Sequence, residues 1–271
     1  YAESDWINDL VFVATHYSGV DHFIGIDLKN EPHGAATWGT GDAATDWNEA
    51  AERASAAILA ANSNLLIFVE GVAENAVCSS PSGHWWGGNL EGVSTHPVQL
   101  NLPNRVVYSP HEYGPGVWPQ PWLNSYDPTL LADRWQKGFN YIATNNIAPI
   151  LTGEFGSREV GFDTIEGQWQ NEFVNFLAAE QHSFTYWSWN PNSSDTGGIL
   201  TDDWVHIDVD KQAMLDRLLD TSSMPEMPEM PETITLEHRI TSDWNTGYCS
   251  IVVLSTASTS LVDWLVPFSV N

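Results

Sequence analysis

Basic residues are scarce in this chain. Nine Lys and Arg stand against 35 Asp and Glu, a formal net charge of −26. A field of that sign repels nucleic acid and anionic membrane surfaces, so neither is expected as a partner, and a neutral substrate fits better. Cysteine is nearly absent. Cys78 and Cys249 fall in different segments and make neither a disulfide framework nor a CxxC metal site. The sequence has no run of about 18 apolar residues, which excludes a transmembrane helix of ordinary length. No signal peptide is visible at Tyr1, where the chain opens inside a helix-like pattern, as a mature or truncated product would. Several chemical signatures are also missing. None of the nine His shows HxxxH or HxH spacing, and the acidic stretch with Asp203, Asp208 and Asp210 lacks the pattern of a calcium loop. There is no GxSxG elbow and no Gly-rich phosphate turn after any apolar run. Neither a metal nor a cofactor is therefore expected.

What is present is apolar mass in an ordered pattern. The chain is 42% hydrophobic and holds 14 Trp, enough for a core and for aromatic surfaces that meet a ligand. Its organising stretch is residues 23–32. Phe23, Ile24, Ile26 and Leu28 read as a short strand that Pro32 must end, because proline cannot donate a ladder hydrogen bond. Pro32 also holds Glu31 away from helix, which leaves a carboxylate at the lip of a strand with the amide of Asn30 beside it.

The same unit recurs. Helical spacing over 5–17, with Ser4 or Asp5 as cap, precedes the first strand, and Asp46 can cap a helix over 47–62. Further apolar strands are expected at 65–69, 105–109, 148–152 and 184–189, with helices near 128–145, 164–181 and 210–219. The strand ends fall at Glu31, Glu70, His111, Glu154 and Asn190, spaced by 39, 41, 43 and 36 residues. A near-constant step with a helix in each interval is what repeated βα units produce, and continuous apolar strands indicate a sheet buried on both faces. With polar residues gathered on one edge, the pattern favours a (β/α)8 TIM barrel over an open doubly wound sheet. Such a barrel needs eight strands and roughly 250 residues. Five strands fill about the first 220 residues, so the barrel is expected to be incomplete here, represented by its C-terminal βα units.

Residues 221–232 repeat Met-Pro-Glu, an extended charged linker in which regular proline prevents helix. Residues 233–271 change to alternating Thr, Ser and Val with Trp244 and Trp264, a fragment of a β-sandwich module. The expected organisation is thus a partial barrel over 1–220, the linker, and a partial module over 233–271.

Two carboxylates, Glu31 and Glu154, close the first and fourth strands and should point into one mouth. A pair of carboxylates facing a sugar is what cleavage of a glycosidic bond needs, one to protonate the leaving oxygen and one to attack or to activate water. His111 and Tyr113 share a strand face, and Tyr113 could donate to a carboxylate. Asn30 can hold a sugar hydroxyl, Trp187 can floor a pyranose, and Trp86 and Trp118 sit on loops where aromatics serve binding. Glu70 and Glu112 rank lower, since Glu70 has no amide partner and Glu112 alternates away from His111 and Tyr113.

The ordered set Asn30-Glu31-Pro32, His111-Glu112-Tyr113, Gly153-Glu154-Phe155-Gly156 and Trp187-Ser188-Trp189-Asn190-Pro191 resembles glycoside hydrolase family 5, the cellulase family A group, over about residues 5–219. So do Trp85-Trp86-Gly87-Gly88-Asn89-Leu90 and Asp195-Thr196-Gly197-Gly198-Ile199-Leu200. The resemblance implies a retaining endo-β-1,4-glucanase acting on cellulose, with Glu31 as acid/base and Glu154 as nucleophile. It implies Asn30, His111, Tyr113 and Trp187 as their supports, and a secreted, monomeric protein. Residues 239–268 resemble the start of a family 2 cellulose-binding module, in which Trp244 would stack on cellulose and Trp264 would be core. The family also uses an Arg and a His on early strands, which this sequence does not contain. A mannanase or xylanase on the same barrel, or a non-catalytic carbohydrate-binding protein, remain the alternatives.

Overall fold

The computed structural model describes residues 2–73 and 83–219, together with the backbone of 234–244 and 247–256. The chain divides into two compact units, Tyr1–Leu219 and Asp220–Asn271.

The first unit alternates helix and strand. Helix α1 (Glu3–His16) turns Trp6, Ile7, Leu10 and Val13 toward the core. Its cap is Ala2, with no side-chain hydrogen bond, rather than Ser4 or Asp5. Asp5 instead lies in the first turn with Glu3, where acidic side chains meet the positive end of the helix dipole. Helix α2 (Trp47–Ala61) buries Trp47, Ala51, Ala54 and Ile58 at helical spacing, and the Trp6 and Trp47 rings meet at 5.8 Å. Asp46 stands at its cap position, but its carboxylate turns away and accepts from Thr37 Oγ1 at 2.7 Å and Gly41 N at 2.7 Å, tying down the preceding loop.

Strands β1 (Gly25–Asp27), β2 (Leu66–Val69) and β3 (Val106–Tyr108) pair in parallel, as do β4 (His111–Tyr113), β5 (Leu151–Gly156) and β6 (Ser183–Tyr186). β3 and β4 are one strand interrupted at Pro110. The pairing crosses the break through Tyr108 N to Pro149 O at 3.0 Å and Gly153 N to Pro110 O at 3.0 Å. The result is one parallel arc of five strands laid side by side in chain order.

Several boundaries differ from expectation. The third strand continues to Tyr113, because Glu154 and its neighbours supply partners beyond the proline. The fourth runs through Glu154 to Gly156, with a register shift between Thr152 and Phe155. The fifth ends at Tyr186, after which Trp187 N still donates to Phe155 O at 2.9 Å and the Trp187–Ser188 peptide is cis. The single helix expected over 128–145 is α3 (Pro128–Trp135), a π turn over Gln136–Asn140 and α4 (Tyr141–Thr144). Helix α5 (Ile165–Glu180) is capped by Thr164, whose side chain accepts from Gly167 N, and α6 (Val209–Leu215) is shorter than expected. The core between arc and helices is aromatic: Phe155, Trp169 and Phe173 are fully buried, with Phe173 at 5.4 Å from Phe155 and 5.6 Å from Trp169. No described helix is long and apolar enough to cross a membrane.

In the second unit, β7 (Ile234–Trp244) and β8 (Gly247–Thr256) form an antiparallel hairpin with a register shift between Ile240 and Ser242. Trp244 lies at its closing end and Cys249 within β8. The linker 221–232, Cys78, Trp264 and the side chain of Trp244 lie outside the described residues.

Candidate active site

The C-terminal ends of the parallel strands converge on one cavity of about 790 Å³, lined by Asn30, Glu31, Trp86, Tyr113, Trp118, Glu154, Trp187 and Asp195, among others. Of the site residues expected in the first unit, Asn30, Glu31, Trp86, Tyr113, Trp118, Glu154 and Trp187 line this cavity, and His111 contacts both carboxylates. Trp86, Trp118 and Trp187 are exposed by 52%, 67% and 46%, so each presents ring surface to solvent.

Glu31 and Glu154 face each other. Oxygens of both, with a ring nitrogen of His111, lie within 4.8 Å of one another. Tyr113 donates its hydroxyl to Glu154 Oε2 at 2.5 Å, and His111 Nδ1 is 3.1 Å from Glu31 Oε1 and 3.5 Å from Glu154 Oε2. β4 and β5 hold this set in register, His111 opposite Glu154 and Tyr113 opposite Gly156. Gly153 lets the strands close: a Cβ there would lie 2.2 Å from Ser109 Oγ and 3.2 Å from His111 Nε2.

Glu70, ranked low from the sequence, belongs to this set. Its Oε2 accepts the Glu31 N–H at 2.8 Å, and its Oε1 is 3.3 Å from His111 Nε2. It needs no amide neighbour in the sequence because its partners come from two other strands. Glu31 itself sits at φ 48°, a left-handed conformation rare for a residue with a side chain. Both of its peptide groups are pinned: Glu70 takes its N–H, and the His33 Nδ1–H donates to its carbonyl at 2.6 Å. Glu112 points the other way, fully buried behind the strand, as its alternation implies.

The loop at 83–91 lies over the strand ends. Gly71 N donates to Gly87 O at 2.7 Å, and Val72 bridges to Asn89. At Gly87, φ is 71° and a Cβ would sit 2.3 Å from Glu70 Oε2, so only glycine permits this approach. Beneath the loop, His84 Nε2 meets Glu91 Oε1 at 2.8 Å with both side chains buried, and Arg134 donates to Gly83 O while covering the Trp122 ring at 3.7 Å.

The electrostatics follow from this packing. Burial alone would lower the proton affinity of His111, but its contacts with Glu31 and Glu70 and the charge of Glu154 outweigh it, and the imidazole is pushed up to about 10. It is therefore an imidazolium at neutral pH. Burial raises Glu154, helped by the charges of Glu31 and Glu70 and opposed by His111 and Tyr113. The Tyr113 hydroxyl is pushed far up, by burial first and then by Glu154, and stays a donor. Glu154 is enclosed between β4 and β6 and faces two other carboxylates.

A parallel strand arc with helices between its strands and two facing carboxylates at its C-terminal lip is the arrangement that barrel glycosidases use. The cellulase family, glycosyl hydrolase family 5, matches residues 1–193, and the chain belongs to that family, whose fold is the (β/α)8 TIM barrel. It is 54% identical over 220 residues to an endoglucanase of Paenibacillus polymyxa, covering 81% of this chain and 55% of that protein. It is 41% identical to the major extracellular endoglucanase of Xanthomonas campestris pv. campestris, over all of this chain and 60% of that one. The solved catalytic domain of the Xanthomonas enzyme superposes with a TM-score of 0.75 at 47% identity, over 80% of this chain and 63% of the domain. An endocellulase from Pyrococcus horikoshii, solved with cellotetraose, gives 0.76 at 42% identity, over 81% and 64%. The chain thus spans less than two thirds of the length of these relatives.

Proposed function

We propose that this chain carries the catalytic centre of a retaining endo-β-1,4-glucanase that hydrolyses cellulose or a related β-glucan. The observation that carries the reading is the approach of Glu31 and Glu154 to within 4.8 Å, with His111 in contact with both and Tyr113 bonded to Glu154. Retaining enzymes hold their carboxyl groups about 5–5.5 Å apart, whereas inverting enzymes leave room for a water at about 6.5–9.5 Å. The chemistry requires one proton on the pair, carried by Glu31, with Glu154 ionised.

Glu31 delivers that proton to the glycosidic oxygen while Glu154 attacks the anomeric carbon. The C–O bond to the leaving sugar breaks as the bond to Glu154 Oε2 or Oε1 forms. Glu31, now ionised, takes a proton from water, and the resulting hydroxide equivalent displaces Glu154 and restores the starting state. Tyr113 and the His111 imidazolium stabilise the carboxylate of Glu154 before attack and after release. Asn30 binds a sugar hydroxyl next to the acid, and Trp86, Trp118 and Trp187 offer ring faces to pyranoses. The names of the relatives favour glucan over mannan or xylan, and product analysis on carboxymethylcellulose, mannan and xylan checks this. The test of mechanism is a 2-deoxy-2-fluoro cellobioside with a good leaving group. Mass spectrometry should find the sugar on the peptide containing Glu154, and an adduct elsewhere, or inversion of the product anomer, overturns the assignment.

We also propose that the working barrel is completed by three further βα units on the side of β1. β1 and β6 each pair on one side only among the described residues. The inner face between them opens into a cavity of about 590 Å³ lined by Ile24, Leu66, Phe68, Val106 and Leu151, side chains that a closed barrel would cover. The second unit is read as the start of a cellulose-binding module, with Trp244 as a cellulose-stacking residue. The Xanthomonas relative is named as extracellular, which supports secretion of this protein also.

A further inference from the structure

His33 follows the Asn30-Glu31-Pro32 turn and lies outside the set of side chains that touch the two carboxylates. Its ring nevertheless makes two specific contacts. It stacks face to face on Trp86, with centroids 3.9 Å apart and planes 8° from parallel. Its Nδ1–H donates to the carbonyl of Glu31 at 2.6 Å, which fixes the tautomer and the ring plane together. One imidazole thus joins the backbone of the acid to the indole of the loop at 83–91. Trp86 is half exposed and shares the cavity with Asn30 and Glu31, so its free face and its His33 face are opposite sides of one ring.

We propose that His33 is a positioning residue that holds Trp86 as the sugar platform on the leaving-group side of the scissile bond. The side follows from chemistry. The acid must stand next to the departing oxygen, so an aromatic anchored to the acid's own peptide lies under the sugars that depart. Trp187 and Asp195 follow the last strand of the arc and line the same cavity with Glu154, on the side of the sugar that the nucleophile takes. A stacked ring restricts the indole to one plane, and the hydrogen bond keeps that plane at a fixed height from Glu31. His33 therefore sets how well the enzyme uses sugars beyond the cleaved bond. This rests on the glucanase reading above and adds a residue and a subsite to it.

The test compares two substrates in wild type, H33A, H33F, H33N and W86A. Cellotetraose places sugars on both sides of the bond, whereas dinitrophenyl cellobioside has no sugar on the leaving side and needs no proton from the acid. H33A and W86A should both raise KM for cellotetraose about three- to ten-fold, in line with the worth of an aromatic stack. Their ratio of kcat/KM on cellotetraose to kcat/KM on the aryl substrate should fall by a similar factor. H33F, which keeps a ring but no donor, should recover KM and not kcat, and H33N should do neither fully. Equal losses on both substrates, or an H33A ratio unchanged while that of W86A falls, overturn the proposal. Cleavage of neither substrate by wild type would count against the glucanase reading of this chain. Trp emission then decides the positioning: the difference spectrum between wild type and W86F should shift to the red in H33A and not in H33F, and an unmoved spectrum in H33A overturns it.

Discussion

In the reading proposed above Glu31 and Glu154 carry the chemistry, and each is held by a neighbour from another strand. Replacing Glu31 with Gln removes the proton donor, and turnover of cello-oligosaccharides should fall by about 10²–10⁴-fold, with a much smaller loss on an aryl substrate that leaves unaided. Tyr113→Phe should leave substrate affinity nearly unchanged and lower kcat by about ten-fold or more, the worth of a hydrogen bond to a charged group. The buried titratable groups also set a pH dependence. His111 binds its proton up to about pH 10 when folded, above its ordinary value of about 6.5. Its stabilising contribution is complete below about pH 6.5 and is lost as pH rises through about 10. Glu112, raised to about 7 by burial against the opposing charge of Arg134, works in the same direction, since its ionisation costs stability as pH rises toward 7. Urea unfolding should therefore show stability declining from about pH 4.5 to about pH 10, and His111→Gln should remove the upper part of that decline.

The strands and loops that place these residues have their own requirements. Gly87 carries a positive φ and stands against Glu70, so Gly87→Ala adds backbone strain of about 1 kcal/mol and a clash that moves the carboxylate holding Glu31. Both unfolding free energy and kcat/KM should drop, and a variant normal in both would deny the loop its place over the strand ends. Helix α5 depends on Thr164 at its start, and Thr164→Ala should lower stability by about 1 kcal/mol in denaturant unfolding, without a change in KM. The elements themselves were legible because apolar runs and helical spacing are local signals. Their ends were less so. Pro110 reads locally as a terminator, yet β4 resumes beyond it because β5 offers partners there. The π turn inside 128–145 buries Gly138, Phe139 and Asn140, and no local signal in the sequence marks it.

At the scale of the whole molecule, the open arc and the hairpin unit make separate predictions. If three further βα units close the barrel, a chain extended by the preceding segment of a relative should unfold at a higher temperature and in one sharper transition than the 271 residues alone. Calorimetry of the two checks this, and equal transitions would mean that the arc is already stable with its inner face uncovered. Removing residues 220–271 should leave hydrolysis of soluble cello-oligosaccharides unaltered and weaken retention on crystalline cellulose, read in a pull-down with the insoluble polymer.

The amino-acid order by itself determined the repeating βα pattern and put Glu31, His111, Tyr113 and Glu154 at strand ends, because side-chain alternation and proline stops act within a few residues. It also marked the aromatics Trp86, Trp118 and Trp187 that line the cavity. Only the folded chain decided that Glu70 contacts Glu31 and His111, that burial raises Glu154, and that His33 ties the Trp86 indole to the backbone of Glu31. Each of these is a contact between segments tens of residues apart, and the burial and charge that give it meaning exist only once the strands lie side by side.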